Sequence, residues 1–117
     1  HRIYLLSFSD AVLQQVAQTK SELRCVRNLE LPAQLREISA ERLAQLYAVC
    51  VDIRHFEAED VQRVHESFKH LFAYPVDSPR PLKVALDLQV EGIISNMPGK
   101  ARQRLRKLAG DLQVPAA

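Results

Sequence analysis

Glycine is scarce in this chain: there are three in 117 residues. No glycine-rich loop is present to cradle a phosphate, so a dinucleotide-binding fold is not expected. Cysteine is scarce too, because Cys25 and Cys50 are two lone residues in apolar segments, and no disulfide or zinc framework is predicted. An apolar run of the ~18 residues that a membrane span needs is also lacking. We therefore expect a soluble, cytoplasmic domain, with membrane anchoring of a parent protein left open.

An excess of charge of one sign is absent as well. Sixteen basic and fourteen acidic residues give a net charge of +2, so no nucleic acid or membrane is expected to bind through this domain. With 47% hydrophobic residues, the chain is long enough for one core. It starts at His1 without a signal-peptide pattern, which favours an excised piece of a larger protein. We expect one domain at 1–112 and the start of a linker at 113–117.

What the sequence does contain is an alternation of short apolar segments and helical patterns. Segments typical of strands are predicted at 3–6, 25–31, 48–53, 82–90 and 93–94. Helices are predicted after Ser9, after Ser39, from Glu57 through a stripe ending at Phe72, and after Gly99. This order predicts an α/β fold: a three-layer sandwich with a mainly parallel, flavodoxin-like sheet of about five strands.

The fourth predicted strand rests on strict alternation. Five apolar residues at every second position, Leu82 to Val90, are separated by Lys83, Ala85, Asp87 and Gln89. An all-α alternative for 80–95 stays open, because Leu82, Leu86 and Val90 also fit a four-residue period. As a strand, this segment leaves only about five residues before the fifth strand, where a parallel neighbour needs a crossover of about a dozen. The sheet is therefore expected to be shortened between strands four and five, with an edge or apolar patch open to a partner.

The run Ala48-Val-Cys-Val-Asp-Ile53 places one carboxylate, Asp52, where a buried parallel strand ends. The carboxyl ends of such strands line the crevice in which open α/β sheets carry out their chemistry. Asp52 is therefore the candidate reactive residue.

The order of segments resembles the receiver domain of two-component response regulators. The matching segments are Ile3-Tyr-Leu-Leu-Ser-Phe-Ser-Asp-Ala-Val-Leu13, Val49-Cys-Val-Asp-Ile-Arg54, Pro81-Leu-Lys-Val-Ala-Leu86 and Gly92-Ile-Ile-Ser-Asn-Met-Pro98. The resemblance implies a flavodoxin-like fold and places Asp52 at the position of the phosphoacceptor aspartate.

The family's other chemical positions are not matched. Its acidic pair, which holds a divalent cation, reads Ser7 and Phe8 here, and its lysine reads Asn96. The hydroxyl position falls near Leu86 or Asp87. Phosphoryl transfer to a carboxylate needs a cation that neutralises the charge of the phosphoryl group. Because the positions that would hold or supply this cation are not matched, no metal site and no catalytic residue are expected, and Asp52 is predicted to be inactive. Asp52 is expected instead to bond to the backbone of the following loop or to form a salt bridge with Arg54. Lys100 is a minor alternative for the missing cation.

Two other groups of residues favour structural roles. His65 and His70 are five residues apart and do not stack on one helix face as metal ligands do, so with His55 they are interpreted as surface histidines. The basic residues of 100–107 occur on an amphipathic helix without aromatic partners, which favours a solvated face over a nucleic-acid site.

The resulting hypothesis is a non-catalytic pseudo-receiver domain of a hybrid sensor histidine kinase, which acts by protein–protein contact and is itself not an enzyme. Its expected partners are neighbouring kinase or receiver domains of the same protein, or a second copy in a homodimer. No cofactor is expected, and magnesium only if Asp52 is active. Two alternatives stay open: a phosphoacceptor receiver with unusual chemistry, and the N-terminal regulatory domain of a DNA-binding transcription regulator.

Overall fold

Five strands alternate with six helices in the computed structural model, which describes residues 3–19, 22–67 and 69–111. The elements in chain order are β1 (Tyr4–Ser7), α1 (Asp10–Thr19), β2 (Arg24–Leu29), α2 (Pro32–Glu37), α3 (Ala40–Gln45), β3 (Ala48–Asp52), α4 (Ala58–Glu66), β4 (His70–Tyr74), α5 (Pro79–Asp87), β5 (Gly92–Ile93) and α6 (Pro98–Asp111). Every pair of neighbouring strands is parallel, and each connection contains at least one helix.

The strands lie side by side in the order in which they occur in the chain, β1-β2-β3-β4-β5. The predicted class, α/β with a parallel sheet of about five strands, is confirmed. The order itself differs from the 2-1-3-4-5 order of flavodoxin-like sheets, in which the winding reverses once. A sheet that never reverses is the arrangement of consecutive units in a (β/α)8 barrel.

The core lies between the helices and one face of the sheet. This helix-facing side carries Leu29, Val49, Val51 and Leu71, each at most 1% exposed. They pack in one cluster with buried residues from α1 to α5, namely Leu13, Leu35, Leu43, Val61, Val64, Leu82 and Ala85. Full burial of a side chain of this size contributes about 1.5–3 kcal/mol, so this face supplies most of the apolar stabilisation.

The opposite face of the sheet, here called the inner face, is covered by no helix in the described part of the chain. Its centre is a small cluster of Val26, Ala48 and Cys50, all fully buried. Tyr47, Phe72 and Tyr74 pack around that cluster and are only half-buried. The described residues therefore form two layers, without the second helical layer expected for a three-layer sandwich.

The fourth strand is not where alternation predicted it. Residues 79–87 form helix α5, and β4 is instead the segment His70–Tyr74. The sequence assigned the first part of that segment, up to Phe72, to the end of a helix and Tyr74 to a helix-breaking segment. Pro79 and Pro81 stand in the first turn of α5, where a missing N–H costs nothing. Leu82 and Ala85 are its buried positions, and the buried Leu88 follows at the same spacing of three residues just after its end. The expected shortening between strands four and five is therefore wrong, because a full helix connects β4 to β5.

Other predicted boundaries hold within a few residues. Ser39 caps α3, its Oγ accepting a hydrogen bond from the Arg42 N–H at 3.1 Å. The last helix begins at Pro98, two residues before the start predicted after Gly99. The predicted linker at 113–117 and the helix residue Phe68 lie outside the described residues. In the part of the chain that the structure describes, no helix has the length and apolarity to cross a membrane.

Candidate functional site at the carboxyl ends of the strands

Five strand ends meet at one edge of the sheet, because all strands are parallel. Polar side chains that follow them in the sequence therefore come close together in space. In (β/α) barrels and open α/β sheets alike, this edge is the one that carries binding and catalytic residues.

Asp52, the last residue of β3, is 1% exposed and forms a two-bond pair with Arg54. Its Oδ1 accepts from Nε of Arg54 at 2.9 Å and its Oδ2 accepts from Nη2 at 2.6 Å. The Arg54 backbone N–H also donates to Oδ1, at 3.0 Å. These bonds hold the pKa of Asp52 below its usual value, against the opposing effect of burial. The predicted bonds to the following loop and to Arg54 are confirmed.

Arg54 itself is largely in solvent: its side chain is 65% exposed. A guanidinium has five N–H donors, and the two bonds to Asp52 occupy only Nε and Nη2. The carboxylate thus fixes the orientation of a cation at the rim of the sheet and leaves Nη1 for another acceptor. Such a fork suits the oxygens of a carboxylate or phosphate.

The other positions singled out in the sequence do not gather around Asp52 as a reaction centre. Ser7 ends β1, and its Oγ accepts a hydrogen bond from the Ser9 N–H at 3.0 Å. Phe8 is 56% exposed and meets Tyr74 edge to face, with 6.0 Å between ring centres. Asn96 donates to Asp77 instead. That Asp52 has no catalytic role stays a prediction.

A cavity of about 260 Å³ opens on the inner face beside Phe8, Asn28 and Tyr74. The Tyr74 hydroxyl donates to the carbonyl of Leu29 at 3.1 Å, which links the end of β4 to the end of β2. Burial, and after it the charge of Asp52, raises the pKa of Tyr74 to about 12, so it stays a neutral donor. The Oδ1 atom of Asn28 is buried without a hydrogen-bond partner among the described residues.

Asp77 joins the loops after β4 and β5. Its Oδ1 accepts from the Ser95 hydroxyl at 2.9 Å and from the Asn96 N–H at 2.7 Å. These bonds, led by the one from the Asn96 backbone, hold the pKa of Asp77 below its usual value. Arg104 of α6 donates to the Asp77 carbonyl at 3.2 Å. The two loops and α6 are thereby held as one rim.

A second cavity, of about 310 Å³, lies where the loop after β3 meets the first turn of α5. Ile53, Arg54, Arg80, Pro81 and Val84 line it. Two arginines therefore border one cavity at the carboxyl end of the sheet, and residues of this type suit a bound anion.

The sequence did not point to Asn28, Tyr74, Asp77 or Arg80 as site residues. Of these four residues, only Tyr74 lies in a sequence pattern that could have indicated its position, because it ends a short apolar run immediately before Pro75. Such a run bounded by proline is typical of a buried strand as well as of a helix end.

Of the three described histidines, His55 is exposed, as predicted, and His65 and His70 are half-buried with structural contacts. His65 Nε2 bonds to the Leu88 carbonyl at 2.9 Å, and His70 pairs with Glu91. Within residues 3–19, 22–67 and 69–111, no group of three or more potential ligands gathers as a metal site would require. That the protein uses no metal or cofactor stays a prediction.

Comparison with known proteins gives matches in structure alone, since no family model and no curated protein matches the chain. A protein from Silicibacter pomeroyi, assigned as a glycerophosphoryl diester phosphodiesterase, matches 97% of this chain with a TM-score of 0.76 and 16% identity. A phosphodiesterase from Oleispira antarctica, solved with its product sn-glycerol-3-phosphate, matches 90% with a TM-score of 0.76 and 15% identity. A glycerophosphodiester phosphodiesterase from Parabacteroides distasonis matches 89% with a TM-score of 0.61 and 14% identity.

This chain spans less than half of those proteins: 40%, 42% and 43% of their respective lengths. The interpretation as a pseudo-receiver of a two-component system is wrong, because structures that match about nine-tenths of the chain or more with TM-scores of 0.61 to 0.76 are phosphodiesterases. The expectation that this domain is itself not an enzyme, within a parent protein that could be a histidine kinase, is contradicted by the same matches. The fold of this chain is the fold of a large part of these phosphodiesterases.

Proposed function

We propose that this chain forms part of a (β/α)-barrel phosphodiesterase that hydrolyses glycerophosphodiesters, and that it supplies one wall of the substrate site. The observation that carries the proposal is the structural likeness to several such enzymes over about nine-tenths of the chain. The sequential parallel sheet and its uncovered inner face support it, because both are features of a barrel segment.

In the proposed reaction, the oxygen of a water molecule forms a bond to phosphorus and the bond from phosphorus to one alcohol oxygen breaks. The water gives up a proton, the departing alcohol takes one up, and a phosphomonoester remains. The substrate carries one negative charge on its phosphate, and charge accumulates on the phosphate oxygens as water attacks. Cations held in fixed positions stabilise that charge.

Arg54 is the residue of this chain best placed for that role. Asp52 fixes its guanidinium through two bonds while 65% of the side chain remains in solvent. Arg80 borders the same cavity from the first turn of α5. In this proposal the phosphate lies at that cavity, and the two arginines bind and orient it.

A cytoplasmic location belongs to the proposal as well. Cys25 and Cys50 are both free and buried, on neighbouring strands. Burial raises the pKa of the Cys50 thiol to about 12, so the reactive thiolate is suppressed. Free thiols of this kind are typical of proteins from reducing compartments.

The test is hydrolysis of glycerophosphocholine by the whole protein in which this chain occurs, with Arg54→Gln compared with Arg36→Gln. Arg36 is exposed on α2 and does not line the cavity that Arg54 and Arg80 border. We expect Arg54→Gln to lower kcat/KM by about 10²-fold or more, in line with the loss of a positioned charge, and Arg36→Gln to leave it unchanged. Equal activity of the two variants would remove Arg54 from the site. Absence of hydrolysis by the wild-type protein would overturn the proposal.

A further inference from the structure

A third cavity lies at the opposite end of the sheet, where the strands begin. Its volume is about 470 Å³, within the range of small-molecule sites. It is bordered by the start of β2, by the link from α3 to β3, and by the residues at the start of β4. The residues that line it include Arg24, Gln45, Tyr47, Lys69 and His70.

The polar lining of this cavity is basic. Three of its nine lining residues are Arg24, Lys69 and His70, and none of the nine is acidic. His70 pairs with Glu91, but Arg24 and Lys69 form no ion pair with a carboxylate within the described ranges. Both side chains are half-buried, and charges removed from water are normally balanced by a partner.

Aromatic rings hold the arginine in place. The Arg24 guanidinium carbon lies 4.4 Å from the centre of the Tyr47 ring and 5.6 Å from that of Tyr4. The His70 ring stacks against Tyr47, with 4.4 Å between centres and 25° between planes. Contact with ring faces attracts a cation and restricts its motion without cancelling its charge. Arg24 is thereby a preoriented, unneutralised cation at the border of a cavity.

Lys69 approaches from the other side of the cavity. Its Nζ donates to the Ala44 carbonyl at 2.8 Å, which positions the ammonium but leaves its charge uncompensated. An ammonium has three donors, so two remain for a ligand. The apolar part of the lining, with Leu23 and Leu46, can receive the carbon skeleton of the same ligand.

We propose that this cavity is a second ligand site, separate from the proposed hydrolytic site, and that it binds a small phosphorylated molecule through Arg24 and Lys69. A phosphomonoester fits because its two negative charges match two cations, while the cavity is larger than a bare ion requires. The site lies at the amino ends of the strands, away from the edge where Asp52 and Arg54 lie.

The test is a titration of the ¹⁵N-labelled whole protein with inorganic phosphate, followed by NMR and paired with a potassium chloride titration of equal ionic strength. We expect saturating shifts at Arg24, at Gln45 to Tyr47 and at His70 that chloride does not produce. Arg24→Gln and Lys69→Gln should each weaken phosphate binding about ten-fold, equivalent to the loss of one charged contact. The matched control Arg36→Gln, in an exposed position of α2, should bind as the wild type does.

Shifts that chloride reproduces, or unchanged binding in both cavity variants, would overturn the proposal. An ion pair between Arg24 and a carboxylate from outside the described residues would overturn it as well. If Arg24→Gln does not fold, Lys69→Gln decides, because the Lys69 ammonium forms its hydrogen bond with a backbone carbonyl and no ion pair. The site does not depend on the proposed hydrolysis: Arg24→Gln should leave glycerophosphocholine turnover unchanged, and phosphate binding here should persist even if no turnover is found.

Discussion

Asp52 and Arg54 are a charge pair in which one partner is buried and the other is in solvent, with 1% and 65% of the side chains exposed. A buried carboxylate is costly unless its oxygens are bonded, and here both oxygens accept from the same guanidinium. The pair therefore keeps the charge of Asp52 inside the fold and presents that of Arg54 at the rim.

Replacing Asp52 by asparagine should reduce the free energy of unfolding by about 1–2 kcal/mol at pH 7, an amount discounted because Arg54 can be solvated again. The pKa of Asp52 is lowered in the folded state. Its contribution is therefore present above the unfolded pKa of about 3.9 and is lost as the pH falls below it. Urea unfolding of the wild type and Asp52→Asn between pH 7 and pH 3 should show the two stabilities converging.

The control is Asp87→Asn at the exposed end of α5, where the change in stability should stay within about 0.5 kcal/mol at every pH. A stability difference for Asp52→Asn that does not shrink toward pH 3 would mean that the carboxylate charge is not what stabilises the fold.

For contacts between single residues, the sequence predicted only those between residues that are close along the chain. The bond from Asp52 to Arg54 was predictable, because the two residues are two positions apart at the end of a strand. The bond from Tyr74 to Leu29 spans 45 positions, and Tyr74 was not assigned to a strand at all. Such a contact depends on which strands are neighbours, and no local pattern contains that information.

Helix α5 shows how two periodicities can coexist in one segment. Leu82, Leu86 and Val90 fit a period of two and a period of four at once, so alternation alone could not separate strand from helix. The helix is favoured because leucine and alanine are good helix formers and because the two prolines stand in its first turn. The all-α alternative for 80–95 is thus correct for α5 and wrong for Gly92–Ile93, which form β5.

Two leucines of this segment discriminate between the structures. As a strand, Leu82 and Leu86 would share one face, but in α5 Leu82 is 1% exposed and Leu86 is 41% exposed. Leu82→Ala should therefore cost about 2–5 kcal/mol of unfolding free energy, while Leu86→Ala should cost less than about 1 kcal/mol. Denaturant unfolding of both variants measures this, and equal losses would favour the strand.

The strand order predicted from the sequence was wrong, because the sheet does not have the flavodoxin-like order. Receiver domains and barrels are built from the same βα units, so each unit has the same local pattern in either fold. They differ in whether the winding reverses, which decides whether helices cover one face or both. Here the helices cover one face, and the inner face keeps apolar residues at its surface: Tyr4 is 38% exposed, Leu6 37% and Phe8 56%.

If the inner face lines a barrel, a charged residue introduced there should lower the unfolding free energy of the whole protein strongly. The loss should be far larger than the exposure of the replaced side chain in this chain suggests. Leu6→Asp should reduce the unfolding free energy by about 3 kcal/mol or more, because a carboxylate would enter a closed interior. Val12→Asp is the matched control, since Val12 is 44% exposed on α1, on the helical side. Its cost should stay below about 1 kcal/mol. Similar small costs for both variants, measured by thermal or urea unfolding, would mean that the inner face is open.

We propose that this chain belongs to an enzyme that cleaves phosphodiesters, and ³¹P NMR of the whole protein with glycerophosphocholine tests this proposal most directly. We expect the diester resonance to be replaced by that of a phosphomonoester at a rate that Arg54→Gln reduces strongly. A diester resonance that persists unchanged would contradict the proposal, whether or not acetyl phosphate transfers a phosphoryl group to Asp52.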